Sequence, residues 1–104
     1  MKKLNLADSR EFNPLAIRSL VLHDSPYFKI INFNLGPGQL FPVHSHQIEG
    51  QLSMLVLEGE GEFLSDTASQ PARAGDLLIS EISEPHGVRA KTEMRLLVTI
   101  APPI

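Results

Sequence analysis

Gly38-Gln39-Leu40-Phe41-Pro42-Val43-His44-Ser45-His46 is the stretch on which the reading of this chain turns. It reads as a strand entered from the turn Gly36-Pro37-Gly38. Successive side chains on extended backbone point to opposite faces, so His44 and His46 are expected on one side of a sheet. Two imidazoles on one face are half a metal site. A third is offered by His86, separated from Gly75 by ten residues and set in a turn-to-strand context. Neutral imidazole suits divalent zinc, copper, iron and nickel, so the pattern points to one divalent transition metal whose identity the ligand types do not fix.

Working outward, apolar or β-branched runs recur at residues 17–22, 27–35, 39–44, 52–57, 76–79 and 94–100, separated by turn signals such as Asp24-Ser25-Pro26, Gly59-Glu60-Gly61 and Ser83-Glu84-Pro85. Many short strands with little helical patterning predict an all-β sandwich or barrel. The only short helix expected lies within residues 4–13, and Pro102-Pro103 ends the last strand. In the run Tyr27–Leu35, Tyr27, Ile31, Phe33 and Leu35 share one face, while Phe28, Ile30, Asn32 and Asn34 share the other. Apolar residues on both faces suggest that part of the second face is covered by a partner subunit, which predicts a homodimer.

At 104 residues the chain is expected to be one domain, with an N-terminal extension over residues 1–13 and a barrel over about 14–101. A formal charge of -3 with both signs scattered argues against nucleic acid or an anionic membrane as partner. Tyr27 and the five Phe are read as core, since no basic patch accompanies them as base stacking requires. Without cysteine there is no thiolate zinc site, disulfide or cysteine nucleophile, which leaves His and carboxylates for metal chemistry. Asp8-Ser9-Arg10-Glu11 interrupts the start before an apolar run of signal-peptide length, and no stretch is long enough to span a bilayer. A cytoplasmic protein is the resulting expectation.

Residues 34–101 resemble the cupin superfamily, small jelly-roll barrels defined by two motifs. Gly38, His44, His46 and the Leu57-Glu58-Gly59-Glu60-Gly61 turn match the first motif, and Gly75 and His86 match the second. The chain departs from the first motif at its Glu. Counting forward from His46 puts that position on Gly50 or Gln51, and counting back from Gly59 puts it on Leu52. In the second motif Glu81, Ser83 and Ala90 replace the family's Pro, Gly and Asn. The resemblance implies a small single-domain cupin of RmlC-like type with His44, His46 and His86 as metal ligands.

Gln51 is the first choice for a fourth ligand, because Gln51, Ser53, Leu55 and Leu57 share a face running from polar to apolar, as a barrel mouth would. Leu52, Met54 and Val56 would then face outward. Glu49 is the alternative, as ligand or as general base beside the ion. His23 is read as a surface residue in a turn, Glu58, Glu60 and Glu62 as a solvated hairpin, and Arg18 and Arg89 as outward residues paired with acids. Two functions follow: a mononuclear metal-dependent dioxygenase or isomerase acting on a small molecule, which the resemblance implies, or a non-catalytic module that binds or senses one.

Overall fold

The computed structural model describes residues 1–104. Nine strands follow a single 3-10 turn at Leu6–Ser9: β1 (Arg18–Asp24), β2 (Lys29–Leu35), β3 (Leu40–His44), β4 (Gln51–Glu58), β5 (Glu60–Leu64), β6 (Ser69–Arg73), β7 (Leu77–Glu81), β8 (His86–Ala90) and β9 (Met94–Ala101). They form two antiparallel sheets, of order β1-β2-β9-β4-β7 and β3-β8-β5-β6, which face one another as a jelly roll. The expected helix is realised only as that 3-10 turn, capped by the Asn5 side chain accepting from the Ala7 amide.

Alternation sets the core. Ile31, Phe33 and Leu35 of β2 lie against Val98, Leu96 and Met94 of β9, and Val98 in turn against Met54 of β4. From the smaller sheet Phe63, Ala72, Val88 and Ala90 close the same core. The face assignment of β4 is the reverse of the expected one. Leu52, Met54 and Val56 are buried, whereas Gln51 is exposed and Ser53, Leu55 and Leu57 are half-buried on the outer side. The interior takes the set of three apolar side chains and leaves outside the set that contains an amide and a hydroxyl, whose burial without partners is costly.

Three strands lie outside the expected runs. β5 places Gly61 and Phe63 inward between Glu60 and Glu62, so an acidic turn is in fact the start of a strand. β6 contains Pro71 and a single buried residue, Ala72, and as an edge strand it tolerates the missing amide. β8 is short and begins at His86 itself. The β4–β5 turn needs Gly59: its φ is +81°, and a Cβ there would collide with the Glu93 carbonyl oxygen.

On the outer face of the large sheet, Asn32 and Asn34 are covered by the chain's own N-terminal segment and not by a partner. The buried Arg95 guanidinium donates to Asn34 Oδ1 at 3.0 Å, Asn32 Oδ1 at 3.0 Å and the Leu6 carbonyl at 2.6 Å. Asn34 Nδ2 donates to the carbonyls of Ser9 and Glu11, and Ser9 Oγ donates to Asn32 Oδ1. Tyr27 is 81% exposed and Phe28 is at the surface, against the expectation that both join the core. They sit before β2 begins, where burial no longer follows its alternation. Phe12 is also outside the core, half-buried beneath the Arg10 guanidinium.

Candidate functional site

His44 is the last residue of β3 and faces His86, the first residue of β8, as its direct cross-strand partner. The pairing shifts between Phe41 and His44, where β3 carries one residue more than β8. Three residues apart on a regular strand, Phe41 and His44 would face opposite ways; the bulge brings both inward, with ring centroids 4.9 Å apart. Gly87 permits this, since a Cβ there would lie 2.7 Å from the Phe41 carbonyl oxygen and 2.8 Å from the Val43 amide. His46 lies beyond the end of the strand, its amide donating to the Ile82 carbonyl.

All three imidazoles line one cavity of about 290 Å³ between the sheets. The His44 ring centroid is 4.6 Å from that of His86 and 5.5 Å from that of His46. Their burial is graded: His86 is only 4% exposed, His44 is half-buried and His46 is exposed at the mouth. Nδ1 of His44 is 2.9 Å from the Pro42 carbonyl oxygen, and Nδ1 of His86 is 2.6 Å from that of Glu84. A carbonyl only accepts, so Nδ1 carries a proton in both rings, and in the neutral form of each it is Nε2 that offers a lone pair. Burial is the main influence holding His86 below the ordinary histidine range, opposed by the Glu84 carbonyl and reinforced by His44 and His46.

This donor chemistry fits a divalent transition metal: two neutral imidazoles oriented from behind by backbone carbonyls, with a third beside them. In the resting arrangement no three ligand side chains are placed to hold an ion. The His46 ring is turned 77° from that of His44 and is held by no hydrogen bond.

Residues 32–100 match the cupin domain family. The chain belongs to the cupins. Among solved structures it is similar to an RmlC-like cupin protein from Desulfovibrio desulfuricans, with 51% identity over 100% of this chain and 99% of that one and a TM-score of 0.95. The TT1209 protein of Thermus thermophilus is 25% identical over the full length of both chains, with a TM-score of 0.90. Ectoine synthase from P. lautus shares the fold at 20% identity and a TM-score of 0.78, over 100% of this chain and 80% of its own. No curated protein matches the chain by sequence.

Within this cupin the remaining candidates lie apart from the histidines. Gln51 is on the outer side of β4, its amide donating to Glu81 Oε1 at 3.2 Å, so it does not reach the cavity. Glu49 is an exposed loop residue outside the lining. The residues of β4 that line the cavity with the histidines are Met54 and Leu52. Counting back from Gly59 finds Leu52; the assumption that a polar residue marks the inward face of β4 hid it. Arg89 and Arg18 point outward beside Glu62 at 3.9 Å and Glu11 at 3.2 Å, as read from the sequence. His23 lies not in a turn but in β1, half-buried against the Phe28 ring at 4.7 Å.

Proposed function

We propose that this chain is a single-domain metallocupin in which His44, His46 and His86 hold one divalent transition metal and a small molecule binds beside it. The observation that carries the reading is the convergence of three imidazoles on one cavity, two of them with Nδ1 occupied by a carbonyl and Nε2 left for a ligand. Bound there, a divalent ion would act as a Lewis acid or, if redox-active, as an oxygen-activating centre. No Asp or Glu lines the cavity, so no side-chain carboxylate stands in it ready to act as general base. That argues against an isomerase relying on a side-chain carboxylate and favours either a three-histidine dioxygenase or a binding module.

Elemental analysis of untagged protein, followed by anaerobic reloading with ferrous iron and measurement of oxygen uptake, tests the catalytic form. Bound metal with uptake on some small substrate is the expected result. Bound metal without uptake on any leaves the non-catalytic module, which the apolar Leu52 at the fourth position favours. Absence of binding by iron, zinc, nickel, manganese and copper would overturn the metal centre.

We also propose a homodimer through the outer face of the large sheet. Ile79 and Leu77 of β7 are 65% and 57% exposed, and they continue into half-buried Leu55, Leu97 and Ile30 on neighbouring strands. A single apolar sheet face suits a two-fold, self-complementary contact. Light scattering is expected to give twice the mass of 11.5 kDa, and Ile79→Lys to return the monomer. No helix is long and apolar enough to cross a membrane.

A further inference from the structure

The histidines occupy one end of the cavity; the rest of its wall specifies what else enters. Nine of its twelve lining residues are hydrophobic, and the other three are His44, His46 and His86. Ile31, Phe33, Leu52, Met54, Val98 and Ile100 form the wall from the large sheet. No Lys, Arg, Asp or Glu is among the lining residues. The nearby cations are committed elsewhere: Arg95 is buried under the N-terminal segment, Arg18 and Arg89 face acids outside, and Lys29 Nζ donates to the Ile104 carbonyl at 3.0 Å.

A charged group pushed into that wall would lose its hydration with no opposite charge and no hydrogen-bonding side chain to replace it, a cost far above what its contacts return. A hydrocarbon group gains from the same surface by being removed from water. Size narrows the class further. A dry cavity of about 150 Å³ accommodates benzene, so a cavity of about 290 Å³ accommodates about a dozen non-hydrogen atoms.

We propose that the ligand is a compact molecule with one polar, metal-binding end seated at His44, His46 and His86 and an uncharged hydrocarbon body against Leu52, Met54, Val98 and Ile100. Polyanionic metabolites, sugar phosphates and dicarboxylates are excluded. The inference rests on the metallocupin reading for the polar end and on the wall alone for the body, so the two parts fail separately.

The test uses straight-chain alkyl hydroxamates of increasing length on cobalt-loaded full-length protein, with binding followed by calorimetry and by the visible spectrum of the metal. Affinity is expected to rise about fourfold per methylene until the cavity is full. A carboxylate at the far end of the chain is expected to weaken binding at least tenfold. Affinity independent of length, or equal for the carboxylated series, overturns the proposal. If neither cobalt nor any of iron, zinc, nickel, manganese and copper binds, the metallocupin reading fails. The body is then tested on metal-free protein with cyclohexanol against glutarate, observed through the Met54 methyl resonance. Cyclohexanol alone shifting that resonance supports the apolar specificity, and glutarate shifting it equally overturns it.

Leu52→Ala enlarges the site and is expected to move the best chain length up by one or two methylenes. Ile100→Val, which removes one methylene from the same wall, serves if Leu52→Ala does not fold and is expected to keep the slope while raising by one methylene the length at which it levels off. A variant that folds and leaves both the slope and the best length unchanged overturns the assignment of the wall.

Discussion

The molecule holds two groups of polar side chains, one outside the large sheet beneath the N-terminal segment and one between the sheets, and they are built on opposite rules. Around Arg95, every buried nitrogen and oxygen has a partner: the guanidinium, Asn32, Asn34 and Ser9 bond one another and the carbonyls of the N-terminal segment. Around His86, the partners stop halfway. Nδ1 of His44 and of His86 is satisfied by a carbonyl while Nε2 of each is not, and the His46 ring has no hydrogen bond. A closed network orders the chain and offers nothing to a ligand; a half-closed one holds rings in place and keeps their lone pairs available. The contrast separates a clasp from a site without reference to any relative.

The largest effect that could break this contrast lies in the clasp. Arg95→Met leaves Asn32 and Asn34 buried with missing donors and should cost about 3 kcal/mol of stability in denaturant titration, with metal affinity unchanged. A loss of metal binding in a folded Arg95→Met protein would show that the two groups are coupled. At the histidines the sign reverses. Metal at a hundredfold its Kd should stabilise the protein by about 2.7 kcal/mol, a rise in Tm of about 10–20 °C, and His44→Ala or His86→Ala should remove that rise.

Smaller effects sharpen the picture. Leu52→Glu places a carboxylate on the inward face beside the histidines and should raise metal affinity about tenfold through added ligand charge, while lowering the stability of the metal-free form. The metal-free protein should also respond to acid. The unfolded chain takes up a proton at His86 near pH 6.5, whereas the folded protein does so only at lower pH because burial disfavours the charged ring. Stability from this group is therefore complete above about pH 6.5 and declines as pH falls through the folded value. His86→Gln should flatten that decline in a urea titration series across pH 4–8. Gln51→Ala, on the outer side of β4, should change metal affinity not at all and stability by less than about 0.5 kcal/mol.

Much of the architecture was legible in the chain because alternation and turn residues repeat through it. The runs that became β1–β4, β7 and β9 carry apolar side chains at every second position, and the two motif glycines fix where His44 and His86 begin. β5 and β6 escaped because their inward positions are Gly61, Phe63 and Ala72, too little apolar surface to register as a pattern. Of the candidate site, the three histidines were readable and their immediate neighbours were not. Gln51 and Leu52 differ by one position, and on a strand one position is the difference between surface and cavity. Which of the two faces inward is decided by the whole set Leu52, Met54 and Val56 and not by the polarity of its first member. The Arg95 clasp left no periodic trace, since it joins Ser9, two asparagines of β2 and an arginine of β9 that are far apart in sequence.

The bulge in β3 makes the site sensitive to backbone path as well as to composition. Because one surplus residue between Phe41 and His44 is absorbed there and both rings still aim inward, straightening the strand at unchanged length would turn one of the two rings toward bulk water while every ligand-type residue survived. Gly87→Val, which fills the space the bulge occupies, would silence the pocket with its ligand inventory intact. Counting donors in a sequence is therefore a weaker guide to such centres than following the strand that aims them.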